Sequence, residues 1–546
     1  MDSLHSSGFV WFFSVLVLVF MVARSSAVDP PACPLLTRPE EISPTYTYNY
    51  SSPEFQSLFQ QLDKTIGEFT SNNRLNAYAV AVVHGNRTIY TTGLTSAKFR
   101  IASITKTFTA LGALMLRDRG LLSLDDHVKT HLPDFSIINP YDDHELTLRE
   151  LMGHVAGLPR DLCNLEHLQC GSNETEILEQ VAGMKLVRPP WSNEPAYSNL
   201  GLSLLGRAWE KATSPRVSWE EFVVEEILKP LGMENSGVDL NGVDLAPTSI
   251  PEGLVDLQWS RPAAQMYSTA EDLGKYLQFL ITGKPALISQ SSIREWVSPA
   301  TIFNDGKAGY AFPWELLQIP DFIEMVVSKS GDMYTYRSHI TFDLSSRVGV
   351  AVVGSYEPGT SSSPVDLADT VFIPVVKTVQ SVNAEFLAAK YAGTYTSSIT
   401  KYTKSPTFEY KVRILFGTIK VYVNSSLGLL ADAQIALMND VFPVSVNSTW
   451  SLLLKNATEN SFWFGEAPDC GYFASQIGGA PDLIHPNEPG TEFTNMIQFG
   501  TDGKTLVWPV VGGVFHKSGS SAHLLRPSRP HLLALLVIFI TLLQRF

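Results

Sequence analysis

The segment Phe99 to Gly120, FRIASITKTFTALGALMLRDRG, constrains this chain more than any other, because it sets a serine and a lysine three residues apart at the mouth of an apolar helix pattern. Ile104, Phe108, Leu111 and Met115 follow the i, i+4, i+7, i+11 spacing of one helix face, and Arg117, Arg119 and Gly120 supply a C-terminal stop. Residues i and i+3 share a helix face, so Ser103 and Lys106 are expected to project together from the first turn, where the positive end of the helix dipole favours negative charge. Ser-x-x-Lys arises by chance about once or twice in a chain of this length. The same tetrapeptide, Ser-Ile-Thr-Lys, recurs at Ser398 to Lys401, so context has to separate the two.

The surrounding pattern mixes helices and strands. Helical spacing marks Pro53 to Thr70, and Ala77 to Val83 with Thr88 to Thr92 reads as a hairpin delivering the chain to Ser103. Leu121 to Ala300 is mostly helical with loops, including Leu146 to Arg160 and a long helix at Leu200 to Lys211. Strands return at Ile323 to Ser328, His339 to Asp343 and Val348 to Ser355, the last two antiparallel neighbours, before a helix at Pro364 to Val382. From Ala384 the character changes to short β segments, among them Phe408 to Ile414, Thr418 to Val423, Trp450 to Leu454 and Thr505 to Val510. This predicts a catalytic domain over residues 53–383 and a smaller β-rich domain of sandwich or barrel type over 384–517.

The two ends read as targeting signals. The apolar run Gly8 to Ala23 followed by Ser25-Ser26-Ala27 predicts a signal peptide over 1–27, with 28–52 an extended Pro-, Thr- and Ser-rich lead-in. Small residues at Ser518 to Ala522, a spacer, and an apolar tail from Leu532 to Leu543 predict a lipid-anchor (GPI) signal in the tail 518–546. Sequons at Asn49, Asn86, Asn173, Asn424, Asn447 and Asn456 agree with export and predict a glycoprotein at the cell surface or outside it. Four cysteines allow three pairings; Cys163 with Cys170 and Cys33 with Cys470 is the preferred set. They show no zinc-like spacing, and no metal or other cofactor is expected. A net charge of −14 without any Lys/Arg-rich run argues against nucleic-acid partners.

Two further elements accompany Ser103 and Lys106: Tyr197-Ser198-Asn199 after a Pro-rich loop, and Lys329-Ser330-Gly331 on a strand. The C-terminal region offers the same order at Ser398 to Lys401, Tyr422 to Asn424 and Lys517 to Gly519, yet no apolar helical run follows Ser398. In the first set the chemistry is coherent. A serine hydroxyl needs a base, which a desolvated Lys106 amine or a Tyr197 phenolate stabilised by Lys106 and Lys329 would provide; the residues alone leave both open. Backbone N–H groups of Ser103 and Asp332 are the expected oxyanion donors, with Gly331 allowing close approach. Lys329 and Ser330 are expected to grip a substrate carboxylate, and Asn199 to contact a substrate amide and hold Lys106. His154 is read as structural. The absence of a Gly-x-Ser-x-Gly elbow disfavours an α/β-hydrolase.

At these residues the sequence resembles the serine β-lactamase and penicillin-binding-protein family, in its class C and D-amino-acid peptidase or esterase branch. ASITKTFTALGALMLRDRGLLSLDDHV, LTLRELMGHVAGLPR, AYSNLGLSLLGRAWE, ILKPLGMENSG and MYSTAEDLGKYLQFL look like that family's signature stretches, in its order. The resemblance implies an α/β (α+β) fold, β-lactamase/transpeptidase-like, with an antiparallel sheet, a helical lobe and the site between them. It implies Ser103 as acylated nucleophile, Lys106 and Tyr197 as the proton-transfer pair, and Asn199, Lys329, Ser330 and Gly331 as substrate contacts. Leader, sequons and β-rich domain are similar to secreted β-lactamase-like proteins of fungi. Asp332 departs from the pattern by placing a carboxylate beside an oxyanion donor.

The function expected is a secreted or surface-attached serine hydrolase acting through an acyl-enzyme on the carbonyl of a small-molecule or peptide amide, β-lactam or ester. An acyltransferase of the same fold, and a non-catalytic binding protein that retains the pocket, are the alternatives.

Overall fold

The computed structural model describes residues 48–162, 171–192, 194–213, 215–249, 255–319, 325–397, 403–404, 411–424, 428–438, 443–456, 461–466, 496–499, 505–508 and 513–517. The signal peptide, most of the lead-in, the C-terminal tail, all four cysteines and Ser398 to Lys401 lie outside these residues. The chain divides into two compact units between Asn383 and Ala384.

The first unit is built on an eight-stranded antiparallel sheet. Its strands are β1 (Leu75–His84), β2 (Arg87–Gly93), β3 (Thr301–Ile302), β4 (Ala308–Tyr310), β5 (Glu315–Gln318), β6 (Met325–Met333), β7 (Tyr336–Asp343) and β8 (Val348–Tyr356), in the order β2-β1-β8-β7-β6-β5-β4-β3. The central strand β1 is buried on both faces, and its alternation assigns each face a partner. Val80 and Val82 join Phe55, Leu58 and Leu62 of helix α1 (Pro53–Asn72) and Leu367, Val371 and Val375 near the chain's C-terminal end of this unit. Ala79, Ala81 and Val83 face the larger core that contains the helical lobe. That core holds helix α2 (Thr105–Asp118) and helix α3 (Asn199–Ala212) of the lobe, and helix α4 (Ala270–Thr282), which packs directly on β1 and β8. An antiparallel sheet with a helical lobe against it is the arrangement expected.

Within Leu146 to Arg160 the helix covers Leu148–Met152, where a Thr147–Glu150 capping box starts it and Gly153 ends it, and His154 falls in the loop that follows. Beyond, His154 (φ 59°) and Gly157 (φ 70°) turn the chain; a Cβ on Gly157 would lie 2.0 Å from the Arg188 carbonyl oxygen. The helix from Pro364, α5, runs to Tyr391 through an internal Pro374, past the predicted end at Val382. Helix α2 is buried on every side and not along one stripe. Its threonines are satisfied there: the Thr107 hydroxyl donates to the Ile104 carbonyl and accepts from Tyr276, and the Thr109 hydroxyl donates to Pro262 and accepts from Trp219.

Beyond the end of α5 at Tyr391, the described residues of the second unit are all β. Strands β9 (Gly393–Ser397), β10 (Thr403–Lys404), β11 (Lys411–Asn424), β12 (Gly428–Met438), β13 (Pro443–Asn456), β14 (Ser461–Glu466), β15 (Met496–Phe499), β16 (Thr505–Trp508) and β17 (Gly513–Lys517) pair antiparallel. Strands β11 to β17 form a meander, and β9 pairs with both β11 and β17, so the sheet closes into a barrel. Phe408 to Ile414 and Thr418 to Val423 were expected as separate segments; Lys411 onward forms one continuous strand with a register shift between Ile414 and Phe416. Among the described residues no helix is long and apolar enough to cross a membrane.

Candidate active site

Ser103 sits in a 3₁₀ turn, Ala102–Ile104, that runs directly into α2. Ala102 holds φ at 43°, a conformation costing a non-glycine residue about 1–3 kcal/mol, and the cost falls on the residue immediately before the serine. The turn is pinned from two sides. Ile101 N–H donates to the Met266 carbonyl at 3.0 Å, and Ser338 Oγ donates to the Ile101 carbonyl at 2.9 Å.

Lys106 is fully buried. Its Nζ lies 2.8 Å from Ser103 Oγ, 2.6 Å from Asn199 Oδ1 and 2.8 Å from the Ala263 carbonyl oxygen. Burial depresses the amine's pKa, the neighbouring Tyr197 works against that, and Lys329 adds to it. Asn199 and Ala263 accept two of the lysine protons. The third direction, toward Ser103, carries a proton in the ammonium and a lone pair in the amine.

Tyr197 and Asn199 flank the start of α3, and the serine between them builds that start. Ser198 Oγ accepts from Gly201 N–H at 2.9 Å and donates to the Pro159 carbonyl at 2.6 Å, an N-cap that fixes its neighbours. Lys106 Nζ lies 5.1 Å and Lys329 Nζ 5.2 Å from the Tyr197 ring centroid, with the Arg160 guanidinium carbon at 4.9 Å. Burial pushes the phenol up, but Lys106 and Lys329 outweigh it, and the Ser103 hydroxyl adds to the lowering. Tyr197 is thus held below an ordinary phenol.

His154 packs on the Tyr197 ring at 4.3 Å between centroids, and its Nδ1 accepts from Ser198 N–H at 3.1 Å. Burial, with Lys106 and Lys329, keeps it neutral by holding its pKa well below the usual value. It supports the tyrosine loop.

Gly331 answers a steric demand. A Cβ there would lie 2.2 Å from the Ile101 carbonyl oxygen and 2.6 Å from Ser338 Oγ, so only glycine lets β6 lie against the serine turn. Gly331→Ala is expected to push strand and turn apart, lowering kcat about 100-fold while costing about 1–3 kcal/mol of stability. A kinetic assay paired with a thermal melt checks both. Asp332, one residue on, pairs across the strands with Arg337 at 3.6 Å and is 69% exposed in its side chain. Its carboxylate is directed to that arginine.

Two acidic residues escaped sequence reasoning. Asp161 Oδ1 accepts from Asn199 Nδ2 at 2.6 Å, which turns the amide so that its oxygen faces Lys106. One of the two N–H donors of the Asn199 amide, a group expected to contact a substrate amide, is therefore engaged. Asp161→Ala is expected to lower kcat about tenfold by releasing that amide, with little change in KM; steady-state kinetics separates the two. Glu315, at the start of β5, ion-pairs with the buried Lys329 ammonium and accepts from Ser330 N–H at 2.9 Å. Burial opposes the Lys329 charge, but Glu315 overcomes it and raises the lysine's pKa; reciprocally, burial pushes Glu315 up and Lys329 holds it down. A sequence signal existed in the Trp314-Glu315-Leu316 stretch, a carboxylate entering an apolar strand.

The duplicate set does not assemble in the same way among the described residues: Tyr422 to Asn424 end a barrel strand, Lys517 ends β17, and the remaining members lie outside. Of the sequons, Asn49, Asn86 and Asn173 are exposed, Asn173 capping a helix, whereas Asn424, Asn447 and Asn456 lie in barrel strands. No group of three or more His, Cys, Asp or Glu residues able to hold a metal occurs among the described residues.

The family model described as Beta-lactamase matches residues 55–370, more than half of the chain. The chain belongs to that family. Beta-lactamase-like protein 2 of Dictyostelium discoideum is 31% identical over 373 residues, 63% of this chain and 66% of that relative, so the match spans just under two thirds of its length. The octameric penicillin-binding protein homologue from Pyrococcus abyssi has a similar structure at 19% identity and a TM-score of 0.50, covering 84% of this chain and 99% of that one. EstCE1, a hydrolase with promiscuous acyltransferase activity, has a similar structure at 19% identity and a TM-score of 0.50, over 58% of this chain and 99% of its own. At 19% identity these two structures show the fold that the chain shares with them.

Proposed function

We propose that this protein is a serine hydrolase that forms an acyl-enzyme on Ser103 with an ester, amide or β-lactam carbonyl and releases the acid to water. One observation carries the reading: Ser103 Oγ is 2.8 Å from a buried Lys106 of depressed pKa, and that Lys106 Nζ lies 5.1 Å from the ring centroid of Tyr197, whose own pKa is lowered. Lys106 and Tyr197 share one proton, as amine with phenol or as ammonium with phenolate. Either arrangement gives the Ser103 hydroxyl a base.

In acylation the Ser103 Oγ–H proton passes to this pair while Oγ bonds to the substrate carbonyl carbon, and the carbonyl oxygen takes the negative charge. The backbone N–H groups of Ser103 and Asp332 are assigned to that oxygen. On collapse the carbon–leaving-group bond breaks and the pair's proton goes to the leaving group. Water then repeats the sequence in reverse roles, giving free acid and restoring Ser103. An alcohol or amine in place of water would make the same centre an acyltransferase; added acceptors that yield transfer product faster than acid would identify it.

Labelling with a fluorophosphonate tests the reading. Covalent modification of the peptide carrying Ser103 supports it; absence of label on folded protein contradicts it and favours a binding protein that has kept the pocket. Export and surface attachment belong to this reading as well, supported by the apolar leader up to Ala23, the exposed sequons and the apolar tail from Leu532 to Leu543.

A further inference from the structure

Arg160 and Tyr310 both border the ring of Tyr197, and both carry donors that no other described residue takes. The backbone of Arg160 is fixed, because its carbonyl oxygen accepts from Asn199 N–H at 2.7 Å and Leu200 N–H at 3.2 Å, two of the free donors at the start of α3. From that base the guanidinium carbon reaches 4.9 Å from the Tyr197 ring centroid. The side chain is 64% exposed, and its ion pair among the described residues is with Asp161 Oδ2, 3.6 Å from Nε and beyond hydrogen-bond length. The other Asp161 oxygen is committed to Asn199 Nδ2 at 2.6 Å. Neither terminal nitrogen of Arg160 has a partner among the described residues.

Tyr310 approaches the same ring from strand β4. Its ring centroid lies 6.3 Å from that of Tyr197, 5.4 Å from that of His154 and 5.7 Å from that of Phe303. Burial and Glu315 raise its pKa against the opposing charges of Lys329 and Arg160, so the phenol keeps its proton and stays a donor. Its hydroxyl makes no hydrogen bond to another described residue. An arginine fork and a phenol hydroxyl beside one ring are the donors a carboxylate takes, through two parallel N–H bonds and one O–H. Asn199 keeps one amide N–H and is bonded through its backbone to Arg160, so an acyl chain lying along Asn199 runs toward the guanidinium.

We propose that Arg160, with Tyr310, sets the specificity of the Ser103 site, selecting acyl donors whose acyl chain ends in a carboxylate several bonds from the scissile carbonyl, the monoesters and monoamides of dicarboxylic acids. The inference rests on the reading of Ser103 as an acylated nucleophile. The acyl-enzyme then keeps its free carboxylate on Arg160, and water releases the diacid.

The test compares the mono-4-nitrophenyl esters of adipic and suberic acid with the same esters capped as methyl esters, in wild type, Arg160→Gln and Tyr310→Phe. The quantity read is the ratio of kcat/KM for the free acid to that for its capped form, so an effect of a substitution on Tyr197 itself cancels. Wild type is expected to favour the free acid of at least one length about fivefold, the scale of a partly exposed ion pair, and to lose that preference as salt is raised. Arg160→Gln is expected to lower the ratio about fivefold and Tyr310→Phe about twofold. A wild-type ratio at or below unity for both lengths, or a ratio unchanged in Arg160→Gln, overturns the proposal; a ratio unchanged in Tyr310→Phe overturns Tyr310's part in it. The butyrates of 4-hydroxybenzoic acid and of its methyl ester move the carboxylate to the leaving group, and an Arg160 dependence found there and not on the acyl chain also overturns it. The backbone of Arg160, and not its side chain, holds α3, so the variant is expected to melt as wild type does; should it not, the wild-type ratio and its salt dependence decide. Should no ester turn over, protection from fluorophosphonate labelling by the same esters gives the ratio instead. Absence of any Ser103 label defeats the acyl-enzyme reading and this inference with it, whereas labelled protein whose ratio ignores Arg160 defeats only the inference.

Discussion

Ser103→Ala is expected to abolish turnover, with kcat on a neutral ester falling about 10⁶-fold, the scale seen when a nucleophile whose partners act with it is removed. The hydroxyl is the atom toward which the whole centre converges. Lys106 Nζ is 2.8 Å away and itself 5.1 Å from the Tyr197 ring centroid, and the strained Ala102 presents the hydroxyl. Removing the oxygen leaves Lys106 with Asn199 Oδ1 and the Ala263 carbonyl, so the lysine keeps two partners and the helix stays formed. A steady-state assay with a circular-dichroism melt checks this: activity lost, melting temperature nearly unchanged. Turnover within tenfold of wild type would remove Ser103 from the chemistry.

Tyr197→Phe is expected to lower kcat/KM about 10³- to 10⁴-fold and to change the pH profile. The groups facing the phenol are Lys106, Lys329, Arg160, Glu315, His154 and Tyr310. Burial and Glu315 raise its pKa, the two lysines lower it further, and the net direction is down. A base must be unprotonated to act, so activity rises with pH through the lowered value, and the midpoint of the rising limb falls below 10, the value of a free phenol. Phenylalanine removes that limb. A pH–rate profile of both proteins reads it directly; a rising limb that survives in the variant, with under tenfold loss, would place the transferable proton on Lys106 alone.

What could be read from the sequence divides along the range of the interactions involved. The helix after Ser103, the β1–β2 hairpin and the strands around Lys329 declare themselves through local periodicity, which needs no knowledge of what packs against them. The three elements of the site were legible as a set because each couples a reactive residue to a local device: a helix start, the Ser198 cap, a glycine on a strand. The rest depends on partners far along the chain. Glu315 meets Lys329 only because β5 and β6 pair in one particular register, and Asp161 meets Asn199 only after the chain turns at Gly157. The all-round burial of α2 was hidden because Thr105, Thr107 and Thr109 look like a solvent face until their bonds to distant groups are seen. Within Leu146 to Arg160 the loop after the helix was legible, but the left-handed backbone of His154 that shapes it is not something periodicity reports. Closure of the barrel depends on β9 finding β11 and β17 at once, a pairing no local pattern encodes.

The central claim is that Ser103 carries the acyl group. Rapid quenching of wild-type protein during turnover of butyrate esters, followed by intact-mass and peptide analysis, tests it most directly. The account predicts a species heavier by one butyryl group, mapped to the peptide containing Ser103 and absent from Ser103→Ala. Product formation by wild type with no covalent intermediate at any quench time, and with activity retained in Ser103→Ala, would contradict it.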